Sequence, residues 1–248
     1  MKILVTVKRV PDYAAKLTID PSGNKIKTEG VNMIANPFDE IAVEEALRLI
    51  EKHGGETCVL SIGTDDCTAQ IRAAMAMGAD RGILVKTTES LDCVSISKVI
   101  AKIFGEEKPD ILLMGKQAID DDSHQVGQMV AERLNLGQAT QANKVVLEGE
   151  WATVIREADG GLETLSLKMP CVITTDLRLN EPRYASLPGI MKAKKKPLDE
   201  RELSSLGLSL TPSVTLQKLE MPPNKQAGQI LPDVQTLVSK LRDVEKVI

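Results

Sequence analysis

The stretch 115–123, GKQAIDDDS, places a lysine, a glutamine and three consecutive aspartates between an apolar run and the start of a predicted helix. Free backbone N–H groups and the positive end of the helix dipole favour a phosphate at a helix start. Because adjacent carboxylates would repel a phosphate, we assign some of them to helix capping and ribose hydroxyls. The N–H groups of about 123–126, with the side chains of Ser123 and Gln125, are better phosphate partners. An acidic capping loop without a ligand explains the pattern equally well.

Two further loops follow apolar, strand-like runs. Residues 3–7 lead to the loop 8–13 and later to a helix start at 36–39, and residues 57–62 lead to the loop 62–64. In open α/β sheets, ligands bind beyond the carboxyl ends of the strands, where loops lead into helices. The three loops therefore predict one ligand site at a single edge of the sheet.

Other kinds of chemistry find little support in the residue types and their spacing. Neither GxxxxGK[ST] nor GxGxxG occurs, so nothing suggests ATP hydrolysis or ordinary dinucleotide binding. His53 is best explained as a cation at a helix end, and His124, which could touch a ligand, as a surface residue. We predict no catalytic group and no metal site, because three carboxylates at 120–122 do not naturally converge on magnesium. No CxxC pair occurs among the cysteines, which are Cys58, Cys67, Cys93 and Cys171.

The composition is that of an ordinary globular protein. The 248 residues are 42% apolar and 27% charged, and the net charge of −4 offers no case for binding nucleic acid or an anionic membrane. There is no run of about 18 apolar residues and no signal-peptide pattern at the N-terminus, so we expect a soluble intracellular protein without membrane insertion. A local basic run fits a solvated linker as well as a docking patch. Its members are Lys192, Lys194, Lys195 and Lys196.

Short apolar runs alternate with amphipathic segments through the first half of the chain. The pattern predicts helices from Asn36 to Gly54, over 66–77, around 96–103 and around 126–134, with apolar strands between them. Such alternation indicates a parallel sheet that is covered on both faces. We therefore predict an α/β fold with a doubly wound, mostly parallel sheet, Rossmann-like and of the adenine-nucleotide-binding type.

The pattern changes later in the chain. WATVIRE and LETLSLK flank a DGG turn and predict a β-hairpin over 151–168, after which CVITTDL returns to the main sheet. Residues 180–225 look like an extended arm, and 234–244 predict a helix whose apolar face needs a surface to cover. We predict a nucleotide-binding domain over 1–180. Residues 181–248 would hold a partner-recognition loop, the arm and the C-terminal helix.

Several blocks, in the same order, resemble the β subunit of electron transfer flavoprotein over nearly the whole chain. They are KRVPDY (8–13), NPFDEIAVEEALRL (36–49), AMGADRG (76–82), GKQAIDDD (115–122), DGGLETL (159–165) and DLRLNEPRYASLPGIMKAKKK (176–196). The resemblance implies an electron carrier subunit without its own substrate turnover, in a heterodimer with an α subunit. It also implies one FAD, held mainly by the α subunit, and a structural AMP in the β subunit.

The resemblance further implies roles for particular residues. Tyr13 and Phe38 occupy the positions of aromatic residues near the flavin, where an aromatic edge would shield the ring. The implied AMP site comprises Thr6, Asn36, Pro37, Phe38, Asp39, Ile62, Gly115, Lys116, Gln117, Ala118, Ile119, Asp120, Asp121, Asp122, Ser123, His124, Gln125 and Val126. It coincides with the three loops chosen above.

The segment 176–196 resembles the family's recognition loop for partner dehydrogenases. Leu187 matches the anchoring leucine, and a small apolar anchor with a charged rim suits a transient encounter. Its implied neighbours are Arg183, Tyr184, Pro188 and Ile190. The implied function is to carry electrons from flavoprotein dehydrogenases of the acyl-CoA dehydrogenase type, as in fatty acid oxidation, to a membrane quinone oxidoreductase. The implied location is the bacterial cytoplasm or the mitochondrial matrix.

Three alternatives remain. Bifurcating members of the family carry a second FAD in place of AMP and read DGDxxQVGP, whereas this chain has Asp121 and Gln128 where Gly and Pro would stand. Those two residues favour the AMP-containing, non-bifurcating type. An adenine-nucleotide-binding enzyme or sensor would leave the arm and the terminal helix unexplained. An RNA-binding tail is disfavoured, because Tyr184 is the single aromatic residue beside the lysines.

Overall fold

The computed structural model describes residues 1–225 and 227–248, and their contacts divide into two compact units. The first unit comprises residues 1–17 and 28–216, and the second comprises residues 18–27 and 217–248. The predicted boundary between residues 180 and 181 divides the chain by predicted role, and it does not coincide with the division by contacts. It stays a prediction.

Helices and strands alternate along the chain. The helices are α1 (Pro37–His53), α2 (Thr68–Met77), α3 (Cys93–Glu107), α4 (Val126–Leu134), α5 (Leu187–Ala193) and α6 (Val234–Ser239). The strands are β1 (Lys2–Thr6), β2 (Arg9–Pro11), β3 (Thr18–Ile19), β4 (Ile26–Lys27), β5 (Met33–Ala35), β6 (Glu56–Gly63), β7 (Arg81–Lys86), β8 (Ile111–Gly115), β9 (Gly137–Glu148), β10 (Trp151–Ala158), β11 (Gly161–Lys168), β12 (Cys171–Thr175) and β13 (Leu198–Glu202). Within the described residues, no helix combines the length and the apolar character needed to cross a membrane.

Nine strands of the first unit form one sheet in the order β11-β10-β9-β12-β8-β1-β6-β7-β13. From β9 to β13 in this order, each strand runs parallel to its neighbour. By contrast, β10 pairs antiparallel with both β9 and β11. The chain moves outward from β1 through β6 and β7 and then crosses to the other side of β1 for β8. The sheet therefore has a switch point between β1 and β8, where doubly wound folds bind ligands.

Helices cover both faces of this sheet. Ile3 and Val5 of β1 belong to the core formed with α1 and α2, whereas Leu4 belongs to the core formed with α3 and α4. Successive side chains of a strand point to opposite faces, so burial of all three residues requires cover on both sides. The predicted fold class, a doubly wound and mostly parallel α/β sheet, is confirmed.

The predicted hairpin over 151–168 is present as β10 and β11, and β12 returns between β8 and β9 as expected. The sequence patterns did not predict β9. This long strand pairs parallel with β12 through its first half and antiparallel with β10 through its second half. It thereby joins the hairpin to the parallel sheet.

The extended-arm prediction was wrong for residues 187–206. This stretch contains α5, then β13, which pairs parallel with β7 at the sheet edge, and then a 3-10 turn that buries Leu203 and Leu206. The sequence of β13, LDERE, has one apolar and four charged residues, so it lacks strand periodicity. Backbone pairing with a neighbouring strand determines this element.

The second unit has little regular structure. β3 and β4 pair as a short antiparallel hairpin, and α6 continues into a π-helical turn over Lys240–Val244. The predicted terminal helix is thus present in a shorter form. Several of its apolar side chains are exposed, namely those of Val234, Leu237 and Val244.

Close packing between β7 and α2 depends on Gly82. A Cβ there would lie 2.4 Å from Ile71 Cγ2 and 2.8 Å from Met75 Cε, and both side chains are buried. Gly82→Ala should therefore lower the free energy of unfolding by about 1–3 kcal/mol, measured by urea denaturation. Gly105→Ala in α3 is the control, because nothing lies within 4 Å of its added Cβ. That variant should be unchanged or more stable by up to about 1 kcal/mol, and an equal loss in both variants would contradict the argument.

Candidate functional site

The carboxyl ends of β1, β6 and β8 lie side by side and form the floor of a pocket. Thr6, Ile62 and Gly115 line the pocket from these three strands. The polar loop that follows β8 and the start of α4 form one side of it. The three loops predicted to share a site therefore do meet, at the switch point of the sheet.

Asp39, in the first turn of α1, ties two of these strand ends together. Its carboxylate accepts hydrogen bonds from the backbone N–H of Lys8 at 2.8 Å and of Gly115 at 2.9 Å. Burial raises the pKa of Asp39 to about 7, against the opposing effect of these two hydrogen bonds. A Cβ on Gly115 would lie 2.5 Å from Asp39 Oδ1, so glycine is needed for this close approach.

Asn36 stands at the N-cap position of α1. Its side chain makes no capping hydrogen bond to α1. Instead, Nδ2 donates to the carbonyl oxygen of Gln117 at 2.8 Å, and Oδ1 accepts from the N–H of Ile119 at 3.3 Å. Asn36 thus fastens the acidic loop to the start of α1. A distant loop competes for its side chain, and local sequence could not reveal that competition.

The aspartates of this loop bind side chains of the protein. Lys8 Nζ lies 2.8 Å from Asp120 Oδ1 and 3.0 Å from Asp121 Oδ2, and Asp122 Oδ1 accepts a hydrogen bond from Gln117 Nε2 at 2.7 Å. Burial lowers the pKa of Lys8, but the two carboxylates outweigh burial and raise it overall. The expectation that some aspartates cap the following helix was wrong, because α4 begins without a side-chain cap.

The start of α4 supplies the polar end of the pocket. The first N–H groups of a helix have no partner within it, and Val126, the first residue of α4, lines the pocket. His124 Nε2 is buried without a hydrogen-bond partner among the described residues. Burial, together with the charge of Lys116, lowers the pKa of His124. Free amides and an unpaired imidazole nitrogen suit an anionic or polar ligand group at this end.

The sequence patterns missed the apolar wall of the pocket. Leu91, Ile96 and Ile100, from the segment after β7 and from α3, line it together with Leu60 and Met114 of the strands. Aliphatic side chains of this kind suit a flat ring such as adenine. The available signal was the i, i+4 spacing of Ile96 and Ile100 on one helix face, which indicates core packing equally well.

Most of the residues predicted to bind AMP line this pocket. These are Thr6, Asn36, Asp39, Ile62, Gly115, Lys116, Gln117, Ala118, Asp121, Ser123, His124, Gln125 and Val126. The pocket lining does not include Pro37, Phe38, Ile119, Asp120 or Asp122. Lys8, Gly63, Thr87 and Glu89 line it without having been assigned to it. Binding of AMP itself stays a prediction.

The two aromatic residues predicted near a flavin differ in exposure. Tyr13 is 80% exposed, whereas Phe38 is 7% exposed, with Lys116 Nζ 5.4 Å from its ring centroid. Lys116 in turn lies 2.8 Å from Asp176 Oδ2. Tyr13 is thus the one of the two whose ring is exposed, and the flavin role of both stays a prediction.

The residues predicted to recognise partner proteins lie in α5 and just before it. Tyr184 is 98% exposed and Leu187 is 80% exposed, and Pro188 and Ile190 are exposed as well. The predicted loop around Leu187 is in fact the first turn of a helix. By contrast, the guanidinium of Arg183 binds two glutamates of α1, and its role in recognition stays a prediction.

Burial, rather than a neighbouring charge, is the main influence on the pKa of the buried thiols. Cys58, Cys67 and Cys171 are buried, Cys93 is partly exposed, and all four are free thiols. Burial raises the pKa of Cys58 and of Cys171 to about 12, so both thiols stay protonated. Across residues 1–225 and 227–248, no three metal-ligating side chains converge.

The pocket therefore combines an apolar wall with free helix amides, at the switch point of a doubly wound sheet. These features define a Rossmann-like α/β protein with a site suited to a nucleotide.

Comparison with known proteins gives the family. The sequence-family model described as electron transfer flavoprotein domain matches residues 23–206 of this chain. A protein of Bradyrhizobium diazoefficiens named electron transfer flavoprotein subunit beta is 50% identical to this chain, over 98% of each chain. A protein of the same name in Homo sapiens is 48% identical, over 100% of this chain and 99% of the relative. The Arabidopsis thaliana relative, whose name adds "mitochondrial", is 47% identical over 100% of each chain. The chain belongs to the electron transfer flavoprotein β-subunit family, and as predicted it is an electron carrier subunit rather than an enzyme.

The Asp39 contact predicts a specific pH dependence. Because the folded-state pKa is raised to about 7, the contribution of Asp39 to stability is complete below about pH 4 and is lost as the pH rises through 7. Asp39→Asn keeps the shape but offers only one acceptor to two N–H groups, so the variant should be less stable by about 2 kcal/mol at pH 5. Urea unfolding of both proteins from pH 5 to 8 should show this difference shrinking. A difference that grows with pH would contradict the assignment.

Proposed function

We propose that this chain binds one AMP and pairs with an α subunit that holds most of a single FAD. The heterodimer carries electrons from flavoprotein dehydrogenases, of the acyl-CoA dehydrogenase type, to a membrane quinone oxidoreductase. FAD supplies the redox chemistry when bound, and this chain supplies the adenine-nucleotide pocket, the contacts with the α subunit and the docking surface. The cytoplasm of a bacterium or the mitochondrial matrix is the proposed location.

The observation that carries the AMP proposal is the two-sided pocket at the ends of β1, β6 and β8. Its aliphatic wall, with Ile96 and Ile100, fits an adenine ring. Its opposite end has the free amides at Val126 and the unpaired, buried His124 Nε2, which fit the phosphate. An adenosine monophosphate spans these two ends with its apolar ring and its charge in matching surroundings.

The charges at the pocket rim favour AMP over a second FAD. Asp121 lines the pocket, and its carboxylate pairs with Lys8, which Asp120 already binds. Lys8 and Lys116 are the two lysines that line the pocket among the described residues, and both already have carboxylate partners. In a chain with glycine at position 121, Lys8 would lose one of its two partners and could bind a longer phosphate chain. This supports the non-bifurcating type.

The exposed apolar residues of the second unit support the proposal that a partner chain covers it. Neither α6 nor the π-helical turn after it buries a single side chain, and Ile230 is fully exposed. Extended, apolar and uncovered segments of this kind gain stability by packing on another chain. The α subunit is the proposed occupant.

Exposed apolar side chains on α5 support docking of the dehydrogenase. Leu187 protrudes next to the exposed Tyr184, with Met191 on the same short element. Lys192 lies in the last turn of α5, and Lys194 and Lys195 come just after it. A small apolar tip with charged neighbours gives contact without a large buried area, which suits rapid exchange of partners.

The nucleotide content of the purified heterodimer tests the cofactor proposal. Acid release and chromatography should yield one AMP and one FAD per complex. Two FADs without AMP would identify the bifurcating type instead. Lys8→Met should reduce the AMP content because it leaves Asp120 and Asp121 unpaired beside the phosphate end. Lys98→Met is the control, since Lys98 bonds only the distant carbonyl of Ser209 among the hydrogen bonds of the described chain.

The docking proposal predicts the effect of truncating the anchor. Leu187→Ala in the heterodimer should raise the KM for the complex in reduction by a flavoprotein dehydrogenase by about tenfold or more, because it removes a central apolar contact. Leu162→Ala, at another exposed leucine on β11, should leave that KM unchanged. Equal KM values for Leu187→Ala and the unaltered complex would refute this role.

A further inference from the structure

We infer that two sets of polar contacts hold residues 184–192, the anchor segment, in the conformation that binds a partner before the partner arrives. One set lies at each end of the segment, and we call the two sets the N-terminal latch and the C-terminal latch. The inference rests on the proposed function, because it concerns the same exposed leucine. Its evidence is a contrast: apolar side chains within the segment are exposed, whereas the residues at both of its ends are firmly bound.

The N-terminal latch joins Arg183 to helix α1. Arg183 Nε donates to Glu44 Oε2 at 2.8 Å, its backbone N–H donates to the same oxygen at 3.1 Å, and Nη2 donates to Glu51 Oε2 at 3.1 Å. The Glu44 side chain is only 2% exposed, so water cannot easily replace its partner. Arg48 Nη2 adds a bond to the carbonyl oxygen of Glu181 at 3.1 Å. The chain therefore enters the anchor segment from a fixed position.

The C-terminal latch joins the end of α5 to helix α2. Arg72 Nη1 donates to the carbonyl oxygens of Ala193 at 2.6 Å and Lys196 at 2.7 Å. Lys196 Nζ caps the end of α2, where cations are favoured. It donates to the carbonyl oxygens of Met75 at 3.1 Å, Gly78 at 3.0 Å and Ala79 at 2.6 Å. Lys196 therefore faces inward, unlike the other lysines of the predicted basic run.

Helix α5 has little stability of its own, so these latches contribute to its order together with its close approach to α2 at Gly189. It has seven residues, well below the length of about 12–15 at which an isolated helix becomes even marginally stable in water. Ala193 is its only buried residue. Without the latches, its exposed side chains would have to be ordered at each encounter, which weakens binding. Arg72, Lys196, Arg183 and Glu44 thus act as positioning residues for Leu187.

Arg72→Met, in the complete heterodimer, tests the inference. The KM for the complex in reduction by a flavoprotein dehydrogenase should rise about tenfold, because the anchor must be ordered on docking. The kcat at saturation, the FAD content and the flavin reduction potential should not change. Hydrogen–deuterium exchange at the amides of α5 should become faster. Arg156→Met is the control, because Arg156 also bonds a backbone carbonyl, that of Thr140, but lies on β10.

Further variants distinguish a failure of the latch inference from a failure of the docking proposal. Glu44→Gln loosens the other latch and should reproduce the same rise in KM and the same faster exchange, and it carries the test if Arg72→Met does not fold. Unchanged KM or unchanged exchange in both latch variants, with a raised KM for Leu187→Ala, would overturn the latches but not the docking role. An unchanged KM for Leu187→Ala would overturn the proposed docking itself. Loss of FAD or of kcat in the latch variants would indicate general damage and would also overturn the inference.

Discussion

The carboxylate of Asp39 is the contact on which the candidate site depends. It bonds the backbone of Lys8 just after β1 and the backbone of Gly115 at the end of β8, so one side chain holds the two strand ends on either side of the switch point. Asn36, three residues earlier, fastens the acidic loop to the same helix start. Without this first turn of α1, two of the three loops around the pocket would lose these hydrogen bonds.

Charge balance lets the acidic loop lie beside the proposed anion site. Three aspartates stand beside a site that suits an anion, an arrangement that would repel the ligand if the carboxylates were free. Lys8 binds two of them and Gln117 binds the third, so the helix amides of α4 dominate the polar end. Lys8 is thereby less available to a second phosphate, which supports the proposed binding of a monophosphate.

Helix α1 also connects the pocket to the proposed docking surface. Its first turn holds the pocket through Asp39, and its middle and last turns hold Arg183 through Glu44 and Glu51. Helix α2 provides the second support through Arg72. The anchor thus rests on the same helices that cover one face of the sheet. A rigid anchor with a small contact area permits selective docking without slow release.

The sequence by itself determined the α/β alternation, the doubly wound sheet and the three loops that meet at its edge, because hydrophobic periodicity and helix-start residues are local signals. Only the tertiary structure decided which partners the polar side chains take. Lys8 and Asp120 are 112 residues apart, and Arg72 and Lys196 are 124 apart. The same physical reason explains β13, whose charged sequence becomes a strand only because β7 offers an unpaired edge. Local patterns specify which faces are buried, whereas long-range packing specifies which charges meet.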